Sequence, residues 1–241
     1  MRTELSATLA ATLLAVLALS GCGEEEKGDA EYFPMATGNT WEYLETYDDT
    51  THEPETTRHT VSGKETITDF DGNEVETWVV ANNPNVETDE ARVYWIVDDG
   101  IAVRRIRQTV DSEGDGAIDK QQDYVPGITK IDRGHLVAGD SWNDDVMRHT
   151  TYPSDPTATQ ESKQLLYEWT VVSTSETVVV PANTFDNCLR IERNNTADAS
   201  NQETKIYWFA PGVGKVKEQT VAAEGDNKME ELTSYEINVQ D

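Results

Sequence analysis

Long stretches of this chain carry an apolar or aromatic side chain at every second position, and that period decides the fold class. Leu165, Tyr167, Trp169 and Val171 fall on one side of an extended backbone, with Glu168 and Thr170 on the other. Val93, Trp95 and Val97 alternate with Arg92, Tyr94 and Ile96, and Tyr235, Ile237 and Val239 repeat the pattern near the end. Successive side chains of a strand point to opposite faces, so this period belongs to half-buried antiparallel strands. Asp71-Gly72-Asn73, Asp99-Gly100, Asp115-Gly116 and Pro211-Gly212 punctuate the runs as turns. No stretch shows a convincing helical period. The apolar fraction is only 37 %, but six Trp and nine Tyr supply enough area to nucleate a core.

The strands also recur. Gly38-Asn39-Thr40-Trp41 is answered by Gly139-Asp140-Ser141-Trp142, and Phe70-Asp71-Gly72-Asn73 by Phe185-Asp186-Asn187-Cys188. Val93-Tyr94-Trp95 is answered by Ile206-Tyr207-Trp208, and Gln-Thr-Val stands at both Gln108 and Gln219. The order is kept, which points to two related β-rich halves, 32–131 and 132–241. Their spacing is too long for a solenoid, whose repeats run about 20–50 residues. Each half has room for about five strands. The expected architecture is all-β and antiparallel: one large curved sheet, a half-barrel or a sandwich.

The N-terminus reads as an address. Ala7 to Leu19 is an apolar run flanked by Arg2 and Glu4. It is shorter than the roughly 20 residues of a membrane-spanning helix and fits the roughly 7–15 residues of a secretory core. Leu19-Ser20-Gly21-Cys22 follows, which resembles the lipobox of bacterial lipoproteins. That resemblance implies a signal peptide over 1–21, palmitate-type acylation at Cys22 and a flexible acidic tether over 22–31. Several acyl chains anchor stably where one is marginal. Gly23 rather than Asp after the Cys implies the outer more than the inner membrane. Tyr32-Phe33-Pro34-Met35 with Gly38-Asn39-Thr40-Trp41 looks like the start of many envelope lipoproteins of no assigned activity. Val180-Pro181-Ala182-Asn183-Thr184-Phe185-Asp186-Asn187-Cys188 and Ala210-Pro211-Gly212-Val213-Gly214 are similar to their later motifs. The general pattern is also similar to the curved, open sheet of lipoprotein-carrier proteins.

Charge narrows the partners. With 46 acidic against 19 basic residues the net charge is −27, which excludes nucleic acid and a polybasic membrane face. The expected partners are the membrane, through the acyl chains, and an envelope protein or apolar ligand.

Catalytic sets are thin. Gly139-Asp140-Ser141 matches an esterase nucleophile block, but no His follows His149, so Ser141 reads as a turn before Trp142. His52, His59, His135 and His149 are far apart and read as surface-loop residues. Cys188 reads as a small buried hydrophobe. The cluster Arg104-Arg105-Ile106-Arg107 reads as a solvated strand face paired with carboxylates. The tryptophans read as core, with an aromatic ligand cleft as the alternative.

One acidic loop stands out. Asp111, Glu113, Asp115, Ala117 (through its carbonyl) and Asp119 are spaced like the oxygen ligands of an EF-hand-type calcium loop. Glu113 is longer than the usual ligand, and Gln122 stands where a bidentate carboxylate belongs, so a flexible hairpin tip is the competing reading. No cofactor is required, and calcium is the one ion suggested.

The functional expectation is a lipid-anchored envelope protein with a non-catalytic binding or structural β-domain. The alternatives are a carrier or chaperone for lipid or another apolar ligand and, further off, a serine esterase using Ser141.

Overall fold

The computed structural model describes residues 31–49, 51–84, 91–197, 202–222 and 227–238. The signal segment, Cys22 and the tether up to residue 30 lie outside the described residues. Twelve strands follow one another: β1 (Thr40–Tyr47), β2 (Glu55–Thr68), β3 (Glu74–Pro84), β4 (Ala91–Asp98), β5 (Ala102–Asp111) and β6 (Lys120–Asp132), then β7 (Ser141–Thr151), β8 (Glu161–Val180), β9 (Asn183–Asn195), β10 (Thr204–Ala210), β11 (Gly214–Val221) and β12 (Lys228–Glu236). No helix occurs among the described residues.

Each strand pairs antiparallel with its neighbours in sequence, and β1 pairs with β12, so the sheet closes into a barrel. Closure leaves no unpaired edge, the liability that an open sheet of alternating strands would carry. Alternation turns every second side chain inward: Trp41, Tyr43 and Glu45 are buried on β1, and Leu165, Tyr167, Trp169 and Val171 on β8. The four turns read from sequence all join consecutive strands, with Gly72, Gly100, Gly116 and Gly212 at positive φ. The curved-sheet expectation therefore holds in its closed form. Residues 32–131 and 132–241 contribute β1–β6 and β7–β12, six strands each where about five were expected.

Two turns leading into β1 and β7 are built alike. Gly38 (φ +88°) donates its N–H to the Val61 carbonyl at 2.8 Å, and Gly139 (φ +95°) donates to the Val171 carbonyl at 2.8 Å. The Val61 and Val171 amides return to the carbonyls of Asn39 and Asp140, each at 2.9 Å. A left-handed residue costs a side-chain-bearing residue strain that glycine escapes. Trp41 and Trp142 stand at the second position of β1 and β7; Trp95 and Trp208 lie on β4 and β10. The Phe pair is not equivalent: Phe70 sits exposed in the β2–β3 turn, whereas Phe185 is buried within β9.

One end of the barrel is covered by the segment preceding β1. Phe33 and Met35 pack on the core, and the Trp41 indole N–H donates to the Val213 carbonyl at 2.6 Å. Gly214 takes a backbone conformation there that favours glycine. A Cβ would stand 3.4 Å from Trp41 Nε1 and 3.5 Å from Pro34 Cδ, on a backbone at φ +102°. The Gly212 amide donates to the Glu31 carbonyl at 2.8 Å, and Arg133 bridges Asp98 at 2.8 Å and Glu31 at 3.4 Å. The chain thus leaves toward its N-terminus from this covered end.

Below the cover lies an aromatic stack. Trp169 is 1 % exposed, with Trp142 on one side at 5.5 Å between centroids and Tyr207 on the other at 5.8 Å. Its indole N–H donates to Asp144 at 3.0 Å, and Asp144 also accepts from the Thr129 amide and hydroxyl. One carboxylate thereby ties β6, β7 and β8. Trp169→Ala should cost about 3–5 kcal/mol. Thermal unfolding should show it, at about 2–4 °C per kcal/mol for a chain of this size. Phe70→Ala, at an exposed site, should leave the melting temperature nearly unchanged.

Candidate functional site

Twelve strands enclose more width than side chains can fill, and the surplus is a chamber of about 370 Å³. It extends from Phe33, Pro34 and Met35 at the covered end to Asn82, Arg92 and Arg148 toward the other. Its wall is neither a dry core nor a neutral one. Eight basic residues line it against three carboxylates, Glu45, Glu218 and Glu230. A chain with only 19 basic residues and a net charge of −27 has thus placed eight of them around its interior.

On one side the charges are matched. Lys215 bonds Glu218 at 2.7 Å and also pairs with Glu230, while Lys205 reaches Glu218 at 2.9 Å. Lys228 bridges Glu45 at 2.9 Å and Glu230 at 2.8 Å. Burial alone would raise the Glu218 carboxyl; Lys205 and Lys215 outweigh it and hold it well below the ordinary carboxylate range. Burial likewise opposes the Lys215 charge, and Glu218 and Glu230 overcome it, so its ammonium is held well above the ordinary value. Tyr43 lies beneath Lys215, whose Nζ is 4.8 Å from the ring centre, and donates its hydroxyl to the Lys215 carbonyl at 2.8 Å. Burial raises the pKa of that phenol far above its usual value.

The other side carries cations with little to balance them. The Arg105 guanidinium lies over Tyr94 at 5.3 Å and Tyr124 at 5.0 Å, and its buried Nε has no acceptor. Arg193, 5 % exposed, covers Tyr167 at 4.3 Å and meets one carboxylate, Glu203, at 2.8 Å; its Nε too lacks an acceptor. The buried Nε of Arg148 is likewise unsatisfied. Lys130 makes no ion pair among the described residues. Burial, with Arg105 and Arg193 adding to it, depresses the pKa of its ammonium well below the usual value.

The structure places the sequence candidates as follows. Asp111 accepts from the amides of Glu113, Asp115 and Gly116, Asp115 from Ala117, and Asp119 from Ser112 and the Ser154 hydroxyl. The carboxylates thus cap the loop's own N–H groups. No cluster of three metal-ligating side chains forms among the described residues. Ser141 begins β7 opposite Thr170, and no hydrogen bond among the described residues joins it to a histidine. Cys188 is buried, and burial pushes its thiol up to about 11.

Two surface readings need correction. Arg104 and Arg107 do pair with carboxylates, Asp99 at 2.7 Å and Asp123 at 2.6 Å, but Arg105 between them faces the chamber. His59 is no loop residue. It lies on β2, edge-on to Tyr43 at 5.2 Å and lining the chamber. The other three fit the surface better: His52 bonds Asp49 in a turn, His135 lies beside Asp132, and His149 stacks on Phe70. Val93, Trp95 and Val97 looked like the apolar face of β4, yet Arg92, Tyr94 and Ile96 line the chamber. Sequence reasoning missed this site because a strand facing a polar interior has the same alternation as one facing water.

No protein family matches the chain, and neither does any curated protein. Among solved structures it is similar to an exported protein of Bacteroides fragilis with a YmcC-like fold, at 14 % identity and a TM-score of 0.46. It is also similar to a lipoprotein of Parabacteroides distasonis, at 11 % identity and a TM-score of 0.35. Each likeness covers 85 % of this chain and 98 % of the other. At these scores neither bears on the site.

Burial also fixes an acid response. Desolvation, helped by the Lys215 charge, pushes His59 from 6.5 down to about 4. The unfolded chain therefore binds a proton before the folded one does, and stability falls as pH drops from about 6.5 to about 4. The full loss from this residue is about 3 kcal/mol. Glu218 and Glu230, both held low, contribute stability above about 4.5 and lose it below, as they titrate in the folded state. Urea unfolding at pH 7, 5.5 and 4.5 should show this slope, and His59→Gln should flatten the part above pH 4.5.

Proposed function

We propose that this chain is a lipid-anchored protein of the bacterial envelope, more specifically of the outer membrane, whose barrel is a non-catalytic binding module. The observation that carries the reading is the chamber itself, a formed cavity walled by rings and charges. Binding sites are preformed concavities of about 300–1,000 Å³ with a few convergent polar groups, and this one is within that range. A fold needing only stability would fill the space, since buried charges cost more than well-packed apolar residues. The Leu19-Ser20-Gly21-Cys22 motif supports the anchor. The described chain begins at Glu31, bonded to Gly212 at the covered end, so the proposed tether would enter there. The wall suits a polar ligand better than the apolar tails of a lipid carrier, which would leave Arg105, Lys130 and Arg193 without partners.

Two measurements test this reading. Cys22→Ala should accumulate as unprocessed precursor that takes up no radioactive palmitate; normal labelling would refute the anchor. Native mass spectrometry of the chain from Gly23 onward, exported on a cleavable signal and purified without detergent, should show a bound molecule displaced on unfolding. The apo mass alone, from every expression condition, would refute the binding role.

A further inference from the structure

We propose that the chamber binds a small, multiply charged oxyanion, a phosphate ester or a di- or tricarboxylate, held by Arg105, Lys130, Arg148 and Arg193. This inference rests on the binding reading above and names its ligand class.

Charge balance is the first argument. Lys205, Lys215 and Lys228 are matched one for one by Glu45, Glu218 and Glu230 in bonds of 2.7–2.9 Å and one shorter contact. Of the other five lining cations, the quartet Arg105, Lys130, Arg148 and Arg193 has Glu203 as its single bonded carboxylate among the described residues. A buried ion that lacks a counterion is costly to leave unpaired. The network beside it shows that this chain, with 46 acidic residues, supplies carboxylates where a lysine is to be neutralised. Around the quartet it supplies tyrosines instead.

Donor geometry is the second argument. The Arg105 guanidinium lies over the rings of Tyr94 and Tyr124, as that of Arg193 lies over Tyr167 and Trp169. A ring attracts the cation without accepting all of its N–H groups, which stay available to donate. Both guanidinium groups retain a buried Nε–H with no acceptor, as does that of Arg148. Planar forks presenting parallel N–H groups match carboxylate and phosphate oxygens. Lys130 adds a point charge beside Arg105 and Arg193, both close enough to disfavour its ammonium. Four cations around one space call for more than one negative charge. The tyrosine walls leave room for a small organic body behind it.

The source of the anion is either a soluble metabolite or a lipid headgroup, and the experiment separates them. Inorganic phosphate, citrate and glycerol 3-phosphate are titrated calorimetrically into the full chain in non-ionic detergent. Phosphatidic acid vesicles, whose headgroup is a phosphate monoester, are tested against neutral phosphatidylcholine vesicles by flotation of the chain from Gly23 onward. Saturable binding of a soluble anion, weakened at least tenfold by Arg105→Gln or Arg193→Gln, supports the proposal with a soluble source. Flotation with phosphatidic acid alone, lost in the same variants, supports it with a headgroup source. Lys130→Met keeps the test independent of folding failure. Replacing a buried amine whose charged form its surroundings oppose should raise the ligand-free melting temperature while weakening anion binding. Binding that persists unchanged in all three variants overturns the proposal, as does no binding of any anion. A neutral or cationic molecule in the native mass spectrum would overturn the anion assignment and leave the binding role standing; an apo mass alone would remove both.

Discussion

The seam between β1 and β12 is the contact on which the rest depends, and its register sets an electrostatic problem. Glu45 lies directly opposite Glu230 across that pairing. Two buried carboxylates face to face would repel and open the seam. Lys228 reaches both, and Lys215 takes the second oxygen of Glu230. Closing the barrel and charging its interior are therefore one arrangement. If β1 were released, the lysines and glutamates would regain water and the chamber would cease to exist.

Closure also explains how so acidic a chain stays compact. Its surplus carboxylates face solvent, where repulsion is screened and favours solubility. Eight of its nineteen basic residues are gathered inward, where each counts for more because water screens it less. The aromatic residues divide similarly. Trp142, Trp169 and Tyr207 fill the space by stacking, while Tyr94, Tyr124 and Tyr167 carry guanidinium groups. The barrel is thus packed toward its covered end and polar beyond it.

Much of the framework was legible in the sequence. The turns at Gly72, Gly100, Gly116 and Gly212 depend on neighbours only a few residues apart, whereas the paired turns before Trp41 and Trp142 were legible only as a recurring motif and are closed by the distant Val61 and Val171. The candidate site was not legible, for two physical reasons. Bulges reset the alternation: one between Arg105 and Arg107 turns both Arg105 and Gln108 inward although their spacing is odd. A shift in the β10–β11 register does the same for Lys215 and Glu218. The second reason is that a polar face reads as a wet face. Arg92-Tyr94-Ile96 and His59 could be sorted from solvent only by knowing what lies across the barrel.

The sequence by itself determined that this protein is made of antiparallel strands, where they turn, and that its start resembles an acylation signal. Those properties follow from alternation, positive-φ glycines and a short linear motif, all local. Only the tertiary structure decided that the sheet closes, that the closed sheet is too wide to fill, and that Lys130, Arg105, Arg193 and Glu218 share one space. Those residues come from the neighbouring strands β5 and β6 and from β9 and β11, and the two sets meet only across a closed interior.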